Sequence, residues 1–383
     1  MNNFTYSIPT KIHFGKGQIA HLTELAQSGR RVLLVYGGGS IKRAGIYDQA
    51  MKLMEGAGLT VFELPGVEPN PRIQTVRKGV TLCKEEDIDM VLAIGGGSAI
   101  DCAKVVAAGA KYDGDPWDLV LDSGKIESAL PIYSVLTLAA TGSEMDNCAV
   151  ISDLTKNEKW ATGADVLKPR MSILDPEYTY TVPARQTAAG TADMMSHIFE
   201  SYFTRVPGAL VQARFCEGLL RTAIQCGPIA LAKPDDYDAR ANLMWTASFA
   251  INGLLSDGAE VKWCVHPMEH ELSAFYDITH GVGLAILTPF WMDYVLRPET
   301  EVQFAEYGRN VWGLSGDDAS VAKASIQRTR DFFQSMGLPA RLSEVGIDET
   351  HLETMAEKAA KGLDKAYVPL DKDAVLAIYK AAL

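Results

Sequence analysis

The 383-residue chain lacks several features that would assign it to a specialised class of protein. It contains no uninterrupted apolar run of about 18 residues, so no membrane-spanning helix is predicted. No basic segment followed by an apolar stretch opens the chain, and we expect no secretory signal. Its six cysteines form no CxxC pair and stand mostly in apolar stretches. We therefore expect reduced thiols in a cytoplasmic protein.

Positive charge is also scarce, since 36 Lys and Arg stand against 48 Asp and Glu and leave a formal net charge of -12. Nucleic acids and anionic membranes are bound by concentrated Lys and Arg, so neither is expected as a partner. A phosphorylated small molecule is not excluded, because it needs positive potential only locally. The hydrophobic fraction of 47% excludes a disordered chain. The length exceeds the roughly 250–300 residues that one core organises, which predicts two domains.

The first half of the chain alternates short apolar runs with amphipathic stretches of helical length. The predicted strands cover residues 31–36, 60–64, 88–94 and 134–138, and the predicted helices between them include 44–57 and 72–84. Strands that alternate with helices favour a doubly wound, mostly parallel sheet. We therefore predict a Rossmann-like α/β domain over residues 1–182.

The second half changes character after Pro183. Long helical patterns replace the apolar runs, over residues 184–204, 209–229, 237–255, 259–276 and 282–296. We predict an all-helical domain over residues 183–383, with the proline-containing segment 173–186 as the crossing between the domains.

Two glycine-rich turns each follow a predicted strand: Gly37-Gly38-Gly39-Ser40 and Gly95-Gly96-Gly97-Ser98. Neither matches GxGxxG or a Walker loop. A single triple glycine is equally consistent with a tight turn that binds nothing. Two such turns on one sheet, with a third small-residue segment at 137–144, favour a dinucleotide, because ligands of open α/β sheets bind at the carboxyl ends of the strands.

The residues after the first glycine turn bear on the choice of cofactor. An NAD-preferring site commonly places a carboxylate against the ribose 2′-hydroxyl. This chain instead has Ser40, Ile41, Lys42 and Arg43. A hydroxyl and two cations suit a 2′-phosphate, which predicts NADP(H). The alternative is that Lys42 and Arg43 only begin a solvated helix face.

Histidine is rare, with seven in the chain, yet three histidines group with one aspartate in the predicted helices. Asp193 and His197 are four positions apart on one helix, which places both side chains on the same face. His266 and His270 repeat this spacing on another helix, and His280 follows at the start of the next. Imidazole nitrogens with one carboxylate suit Fe2+ or Zn2+. A lone histidine is more often a core or surface residue, but this grouping favours one divalent metal ion.

Eight segments in order resemble those of the iron-containing (group III, metal-dependent) alcohol dehydrogenase family, and within it the NADPH-dependent butanol dehydrogenases and broad-range aldehyde reductases. They are FGKG at 14–17, YGGGS at 36–40, EPNP at 68–71, GGGSAIDCAK at 95–104, TLAATGSE at 137–144, ILDP at 173–176, the pair Asp193 and His197, and HPMEHELSAFYDITHG at 266–281. The resemblance covers most of the chain and implies a dehydroquinate synthase-like architecture, with a Rossmann-like domain followed by an all-helical domain.

The resemblance also implies roles for particular residues. The metal ligands would be Asp193, His197, His266 and His280. The positions in contact with the cofactor would be Gly37, Gly38, Ser40, Asn70, Gly96, Gly97, Ser98, Asp101, Thr137, Thr141, Ser143, Lys159 and Tyr178. His270 corresponds to a histidine near the nicotinamide, and a homodimer is implied.

The predicted activity is that of a metal-dependent, NADP(H)-linked alcohol dehydrogenase or aldehyde reductase acting on short- to medium-chain primary alcohols such as butanol, and on the matching aldehydes. We hypothesise that His270 relays a proton during this reaction. The alternative is that His270 packs against the nicotinamide or tunes the metal ligands. Two other readings stay open: an NAD-dependent glycerol-type or lactaldehyde/diol dehydrogenase, and a non-catalytic module that binds metal or nucleotide.

Overall fold

The computed structural model describes residues 1–206 and 208–383. Over these residues the strands are β1 (Lys11–Phe14), β2 (Arg31–Tyr36), β3 (Thr60–Leu64), β4 (Met90–Gly95), β5 (Ile132–Leu136), β6 (Cys148–Asp153), β7 (Glu158–Gly163) and β8 (Met171–Leu174). The α-helices are α1 (Ser40–Arg43), α2 (Ile46–Gly56), α3 (Ile73–Glu85), α4 (Gly97–Gly109), α5 (Pro116–Leu121), α6 (Ala184–Tyr202), α7 (Leu210–Ala232), α8 (Tyr237–Ile251), α9 (Val265–Tyr276), α10 (His280–Val295), α11 (Glu301–Trp312), α12 (Asp318–Ser335), α13 (Leu352–Ala359) and α14 (Lys372–Ala382).

Six of the strands form one parallel sheet in the order β1-β8-β5-β4-β2-β3. The chain runs from β2 outward to β3 and then returns to place β4 on the other side of β2. The winding direction therefore reverses between β2 and β4, and ligands of such sheets bind at the carboxyl ends of the strands beside the reversal. The predicted doubly wound α/β fold is confirmed.

The central strands are buried on both faces, which explains their continuous apolar sequence. Successive side chains of a strand point to opposite faces. Leu33 and Val35 of β2 accordingly pack into a core with α3 and α4, whereas Val32 and Leu34 pack into a second core with α2 and the 3₁₀ helix Gln18–Gln27. Each fully buried Val or Leu side chain contributes about 1.5–3 kcal/mol.

The described chain divides into two compact units. The sheet unit comprises Ser7–Val182 and Pro234–Ser248. The helical unit comprises Met1–Tyr6, Pro183–Lys233 and Phe249–Leu383. A short stretch from within the predicted helical half therefore belongs to the sheet unit.

Some of the predicted strand and helix boundaries were wrong, and four strands were not predicted. β5 begins at Ile132, two residues before the predicted start, and ends at Leu136. Helix α9 begins at Val265, not at residue 259, which places Pro267 in its first turn, where a proline does not interrupt the helical hydrogen bonds. The prediction omitted β1, β6, β7 and β8, which are short strands of four or six residues.

Two further features concern the chain as a whole. All six cysteines are free, five of them buried and Cys148 half-buried. Within the described ranges, no helix combines the length and the hydropathy needed to cross a bilayer.

Candidate metal centre and dinucleotide site

Helix α6 presents three ionisable side chains on one face within the helical unit. Asp193, His197 and Glu200 have the spacing i, i+4 and i+7, which brings them to the same side of an α-helix. All three are buried, with relative exposures of 3%, 4% and 3%. Buried ionisable groups are rare unless they are paired or bind a metal, so this face is a candidate site.

The carboxylate of Asp193 is surrounded by three imidazoles. Its Oδ1 lies 3.6 Å from Nε2 of His197, 3.9 Å from Nε2 of His266 and 3.7 Å from Nε2 of His280. These separations are too long for hydrogen bonds. Among the described residues, Asp193 Oδ1 and His266 Nε2 are buried without a hydrogen-bond partner. The predicted metal ligands therefore meet around one oxygen atom.

The spacing of these atoms fits a bound divalent ion. Donor atoms about 2.1 Å from a tetrahedral metal lie roughly 3.4 Å from one another. The donor atoms of Asp193, His266 and His280 all lie within 4.8 Å of one another. One carboxylate and three imidazoles suit Fe2+ or Zn2+, so the donor set fits the predicted ion chemically as well.

Glu200 orients His266 from the opposite side of the ring. Its Oε1 lies 3.1 Å from Nδ1 of His266 and accepts the backbone N–H of Val265 at 2.8 Å, and its Oε2 accepts that of Cys264 at 2.8 Å. These backbone groups lie at the start of α9, where N–H groups have no helical partner and favour an anion. With Nδ1 protonated towards Glu200, Nε2 keeps its lone pair for a metal.

Glu269 orients the ring of His280 in the same way. Its Oε2 pairs with Nδ1 of His280, and its Oε1 accepts a hydrogen bond from the hydroxyl of Ser273. The start of α10 is also fixed by close packing against α6, because a Cβ on Gly281 would lie 2.1 Å from the carbonyl oxygen of Ala189. Only glycine permits this approach, which sets the position of His280.

His197 is held by packing. Its ring stacks on the ring of His266, with centroids 4.7 Å apart and planes 14° apart, and meets the edge of Trp263 at 5.4 Å. Its Nδ1 is buried and has no hydrogen-bond partner among the described residues. Nε2 is therefore the nitrogen that faces Asp193.

Burial governs the electrostatics of the cluster. Burial alone would raise the pKa of Asp193, but the neighbouring imidazoles hold that pKa well below its ordinary value. Burial lowers the pKa of His197 to about 4. Burial also disfavours protonation of His266, but the carboxylates of Asp193 and Glu200 outweigh it and raise the pKa. Asp193 is thus ionised and His197 neutral near pH 7, which are the states that bind metals.

His270 lies beside this cluster and is half-buried. Its ring centroid is 5.6 Å from that of His280 and 6.4 Å from that of His266. Its donor atom lies within 4.8 Å of donor atoms of Glu269 and His280. The predicted catalytic histidine is therefore adjacent to the predicted metal ligands.

In the sheet unit, the three glycine-rich or small-residue segments meet at the carboxyl ends of neighbouring strands. Tyr36 of β2 pairs with Ile94 of β4, so the turns Gly37–Ser40 and Gly95–Ser98 begin at neighbouring positions. The backbone N–H of Thr137, which follows β5, donates to the carbonyl of Gly95 at 2.9 Å. We call these three segments (37–40, 95–98 and 137–141) the dinucleotide cradle.

Glycine is required in the cradle because the segments approach closely. A Cβ on Gly97 would lie 2.3 Å from the hydroxyl oxygen of Thr141, and a Cβ on Gly96 would lie 3.2 Å from Leu138. Helix α4 begins at Gly97 and has no side-chain cap. Its first N–H groups are therefore available to a phosphate, which the helix dipole favours.

Two other predicted cofactor positions, Ser143 and Asp101, are hydrogen-bonded to each other. The hydroxyl of Ser143 donates to Asp101 Oδ1 at 2.5 Å, and the backbone N–H of Val150 donates to Asp101 Oδ2 at 2.9 Å. Burial raises the pKa of Asp101 to about 6. Ser143 and Asp101 are 1% and 9% exposed, so they position the loop around residue 143. A direct contact with a cofactor stays a prediction for both.

The remaining predicted positions differ in exposure. Lys159 on β7 and Asn70 are 4% and 8% exposed, and Asn70 has a left-handed backbone with φ of 52°. Tyr178 is half-buried, and burial raises its pKa to about 12. Lys42 is exposed at the end of α1. Their contacts with a cofactor likewise stay predictions.

The sequence prediction missed Glu200 and Glu269. Both carried a signal, since Glu200 lies three residues after His197 and Glu269 three residues after His266 on the same helix face. The sequence does not show that each carboxylate faces a ring nitrogen on a different helix, Glu200 that of His266 and Glu269 that of His280.

A doubly wound sheet unit that carries a glycine cradle, and a helical unit that carries an aspartate with three histidines, define a class: metal-dependent nucleotide enzymes of the dehydroquinate synthase-like architecture. Comparison with known proteins gives the family. The model of iron-containing alcohol dehydrogenases matches residues 9–176, and the C-terminal model of the Fe-containing alcohol dehydrogenase family matches residues 187–383. The chain belongs to the iron-containing alcohol dehydrogenase family.

Individual relatives agree with this family. The chain is 57% identical to NADH-dependent butanol dehydrogenase A of Clostridium acetobutylicum, over 99% of each chain. It is 42% identical to an NADPH-dependent aldehyde reductase of Escherichia coli, over 94% of this chain and 93% of the relative. The crystal structure of a butanol dehydrogenase from Thermotoga maritima superimposes with a TM-score of 0.96 at 39% identity, covering 100% of this chain and 99% of that one.

The family and enzyme class predicted from sequence are therefore confirmed. The protein is an alcohol dehydrogenase of this family, which implies a nicotinamide cofactor and a metal. The relatives carry names with either NADH or NADPH, so the family alone does not fix the form of the cofactor.

Proposed function

We propose that this enzyme interconverts short- to medium-chain primary alcohols and their aldehydes, with butanol and butanal as representative substrates, and that it uses NADP(H). The observation that carries the proposal is the position of Asp193 Oδ1 between three imidazole Nε2 atoms at 3.6 to 3.9 Å. The names of the butanol dehydrogenase and aldehyde reductase relatives support the substrate class.

Each unit supplies one part of the chemistry. When bound, a divalent ion polarises a carbonyl oxygen and the nicotinamide exchanges a hydride with the carbonyl carbon. Asp193, His197, His266 and His280 would hold the ion as Fe2+ or Zn2+. The cradle segments of the sheet unit would hold the pyrophosphate and ribose of the cofactor. Glu200 and Glu269 are positioning residues, because each fixes the ring of one ligand histidine.

Reduction of an aldehyde consumes one hydride and one proton, and oxidation of the alcohol returns both. We assign the proton transfer to His270, which is half-buried and adjacent to the proposed metal ligands. The deprotonated ring accepts the proton during oxidation, and the protonated ring supplies it during reduction.

The test is a comparison of NADPH and NADH oxidation with acetaldehyde, butanal and hexanal, measured by the absorbance of the reduced nicotinamide before and after chelation. The proposal expects turnover of butanal with preference for NADPH, lost on chelation and restored by Fe2+ or Zn2+. Turnover of glycerol with NAD and none of butanal would favour a polyol dehydrogenase instead. No turnover of any substrate by metal-loaded protein would contradict the assignment as an active enzyme. The homodimer implied by the resemblance stays a prediction, and the molar mass in solution from light scattering tests it.

A further inference from the structure

Two adjacent cations follow the first glycine turn, and their surroundings differ. Lys42 and Arg43 are both exposed at the end of α1. The ammonium of Lys42 lies 4.2 Å from the ring centroid of Tyr47 and 5.1 Å from that of Tyr36. It also lies 3.7 Å from Oε2 of Glu63, which precedes the last residue of β3. Lys42 is therefore surrounded by two aromatic faces and a carboxylate, all of which stabilise a cation.

Glu63 is fixed beside Lys42 by the same tyrosines. The hydroxyl of Tyr36 donates to its Oε2 at 2.5 Å, and the hydroxyl of Tyr47 donates to its Oε1 at 2.9 Å. Partial burial would raise the pKa of Glu63, but these hydrogen bonds and the charge of Lys42 lower it. A second anion that approached Lys42 would therefore meet an ionised, immobilised carboxylate.

Arg43 has no such competitor. Among the described residues it forms no ion pair, hydrogen bond from its side chain or cation–π contact, so its guanidinium is available to a ligand. Its Nη1 lies 3.8 Å from the point that a Cβ on Gly39 would occupy. The φ of Gly39 is 98°, a conformation that disfavours any other residue, and no atom lies within 4 Å of a Cβ built on Gly38. The guanidinium therefore borders open space at the glycine turn.

We propose that Arg43, and not Lys42, recognises the 2′-phosphate of NADP(H), and that Lys42 anchors α1 through Glu63, Tyr36 and Tyr47. The inference rests on the proposed function, since it assumes that the glycine turn binds the adenosine end of the cofactor. A guanidinium matches a phosphate with two parallel hydrogen bonds, which an ammonium cannot provide. Arg43 is thus a specificity-determining residue, and Lys42 is a structural one.

The test compares Arg43→Met with Lys42→Met, which remove one positive charge each from neighbouring positions. Calorimetric titration with adenosine 2′,5′-bisphosphate and with adenosine 5′-monophosphate isolates the 2′-phosphate, because the two probes differ in that group. Arg43→Met is expected to lower the affinity for the bisphosphate by about 10- to 100-fold and the affinity for the monophosphate by less than about twofold. Lys42→Met is expected to change the affinities for both probes by the same factor.

Selective loss of bisphosphate binding in Lys42→Met, with none in Arg43→Met, would overturn the inference. Equal affinity of the wild-type protein for the two probes would also overturn it, because then no residue of the turn recognises the 2′-phosphate. The ratio of kcat/KM for NADPH to that for NADH should follow the same pattern in the two variants. Nucleotide binding needs neither metal nor turnover. A protein that is inactive but binds the bisphosphate in an Arg43-dependent way would therefore contradict the proposed enzymatic activity and still support the role of Arg43.

Discussion

Glu200 holds His266 in place: its Oε1 lies 3.1 Å from the ring Nδ1, and the same carboxylate accepts backbone N–H groups at the start of the helix that carries His266. One buried side chain thereby sets both the beginning of α9 and the orientation of a proposed metal ligand. It lies one turn after His197 on α6, so it also links two of the helices that carry the proposed ligands.

Replacing Glu200 with Gln should weaken metal binding while the protein stays folded. The amide is similar in size, but it removes the charge that favours the protonated Nδ1 and the helix start. Loss of such a partner typically costs about 10- to 100-fold in metal affinity. Competition with a chromophoric chelator measures this, with the exposed Glu357→Gln in α13 as the control. Wild-type affinity in Glu200→Gln would show that the contact is dispensable.

Replacing His270 with Ala should leave the metal content unchanged and depress turnover. A positioned acid or base contributes about 10²- to 10⁴-fold, so we expect kcat to fall by at least about 100-fold. Metal analysis and steady-state kinetics on the same preparation separate the two effects. If His270 only packs in the site, the shape of the pH profile of kcat will be the same in the variant as in the wild type.

The sequence predicted some of these features and not others, for physical reasons. Asp193 and His197 were found because helical periodicity alone places them on one face, and β2 and β4 because buried parallel strands have continuous apolar sequences. Glu200 and Glu269 were missed because a carboxylate on a helix looks the same in sequence whether it contacts solvent or a ring nitrogen on another helix.

The two cations after the glycine turn illustrate the same limit. In sequence, Lys42 and Arg43 are equivalent neighbours. Only the pairing of β2 with β3 brings Glu63 beside one of them, since helix α2 separates Glu63 from both cations along the chain. Contacts that depend on tertiary packing of distant segments are not encoded in any local pattern.

Replacing Lys104 with Met should destabilise the sheet unit. The ammonium of Lys104 is fully buried and bonds Asp146 Oδ1 at 2.6 Å and the carbonyl of Cys148 at 2.8 Å. Removal would leave the buried carboxylate of Asp146 without its counter-ion, at a cost of about 3–5 kcal/mol. Urea unfolding measures the change. Arg77→Met, which breaks a surface pair with Asp115, should cost less than about 1 kcal/mol, and equal losses in the two variants would contradict the account.

The buried carboxyl group of Glu144 should make the free energy of unfolding fall as the pH rises. Burial raises its pKa from 4.5 to about 7, although a hydrogen bond from Ser248, a backbone hydrogen bond and the charge of Lys104 oppose this. Between these values the folded protein keeps a proton that the unfolded chain has released, so stability is full below pH 4.5 and declines until about pH 7. The decline is on the order of 3 kcal/mol.

Glu144→Gln removes this titration and retains a group that can bond Ser248. The difference in unfolding free energy between wild type and variant should therefore change between pH 5 and pH 8 in favour of the variant. A difference that stays constant with pH would show that Glu144 does not titrate in this range. Comparison of the two proteins cancels the contributions of other carboxyl groups, such as Asp101.

Metal binding by Asp193 and the three histidines is measured as the metal content of protein purified without oxygen and loaded with Fe2+ or Zn2+, by inductively coupled plasma mass spectrometry. We expect about one ion per chain in the wild type, and strongly reduced content when Asp193 is replaced by Ala or His197 by Ala. Folded wild-type protein that retains no ion, or an Asp193→Ala variant that retains a full equivalent, would contradict it.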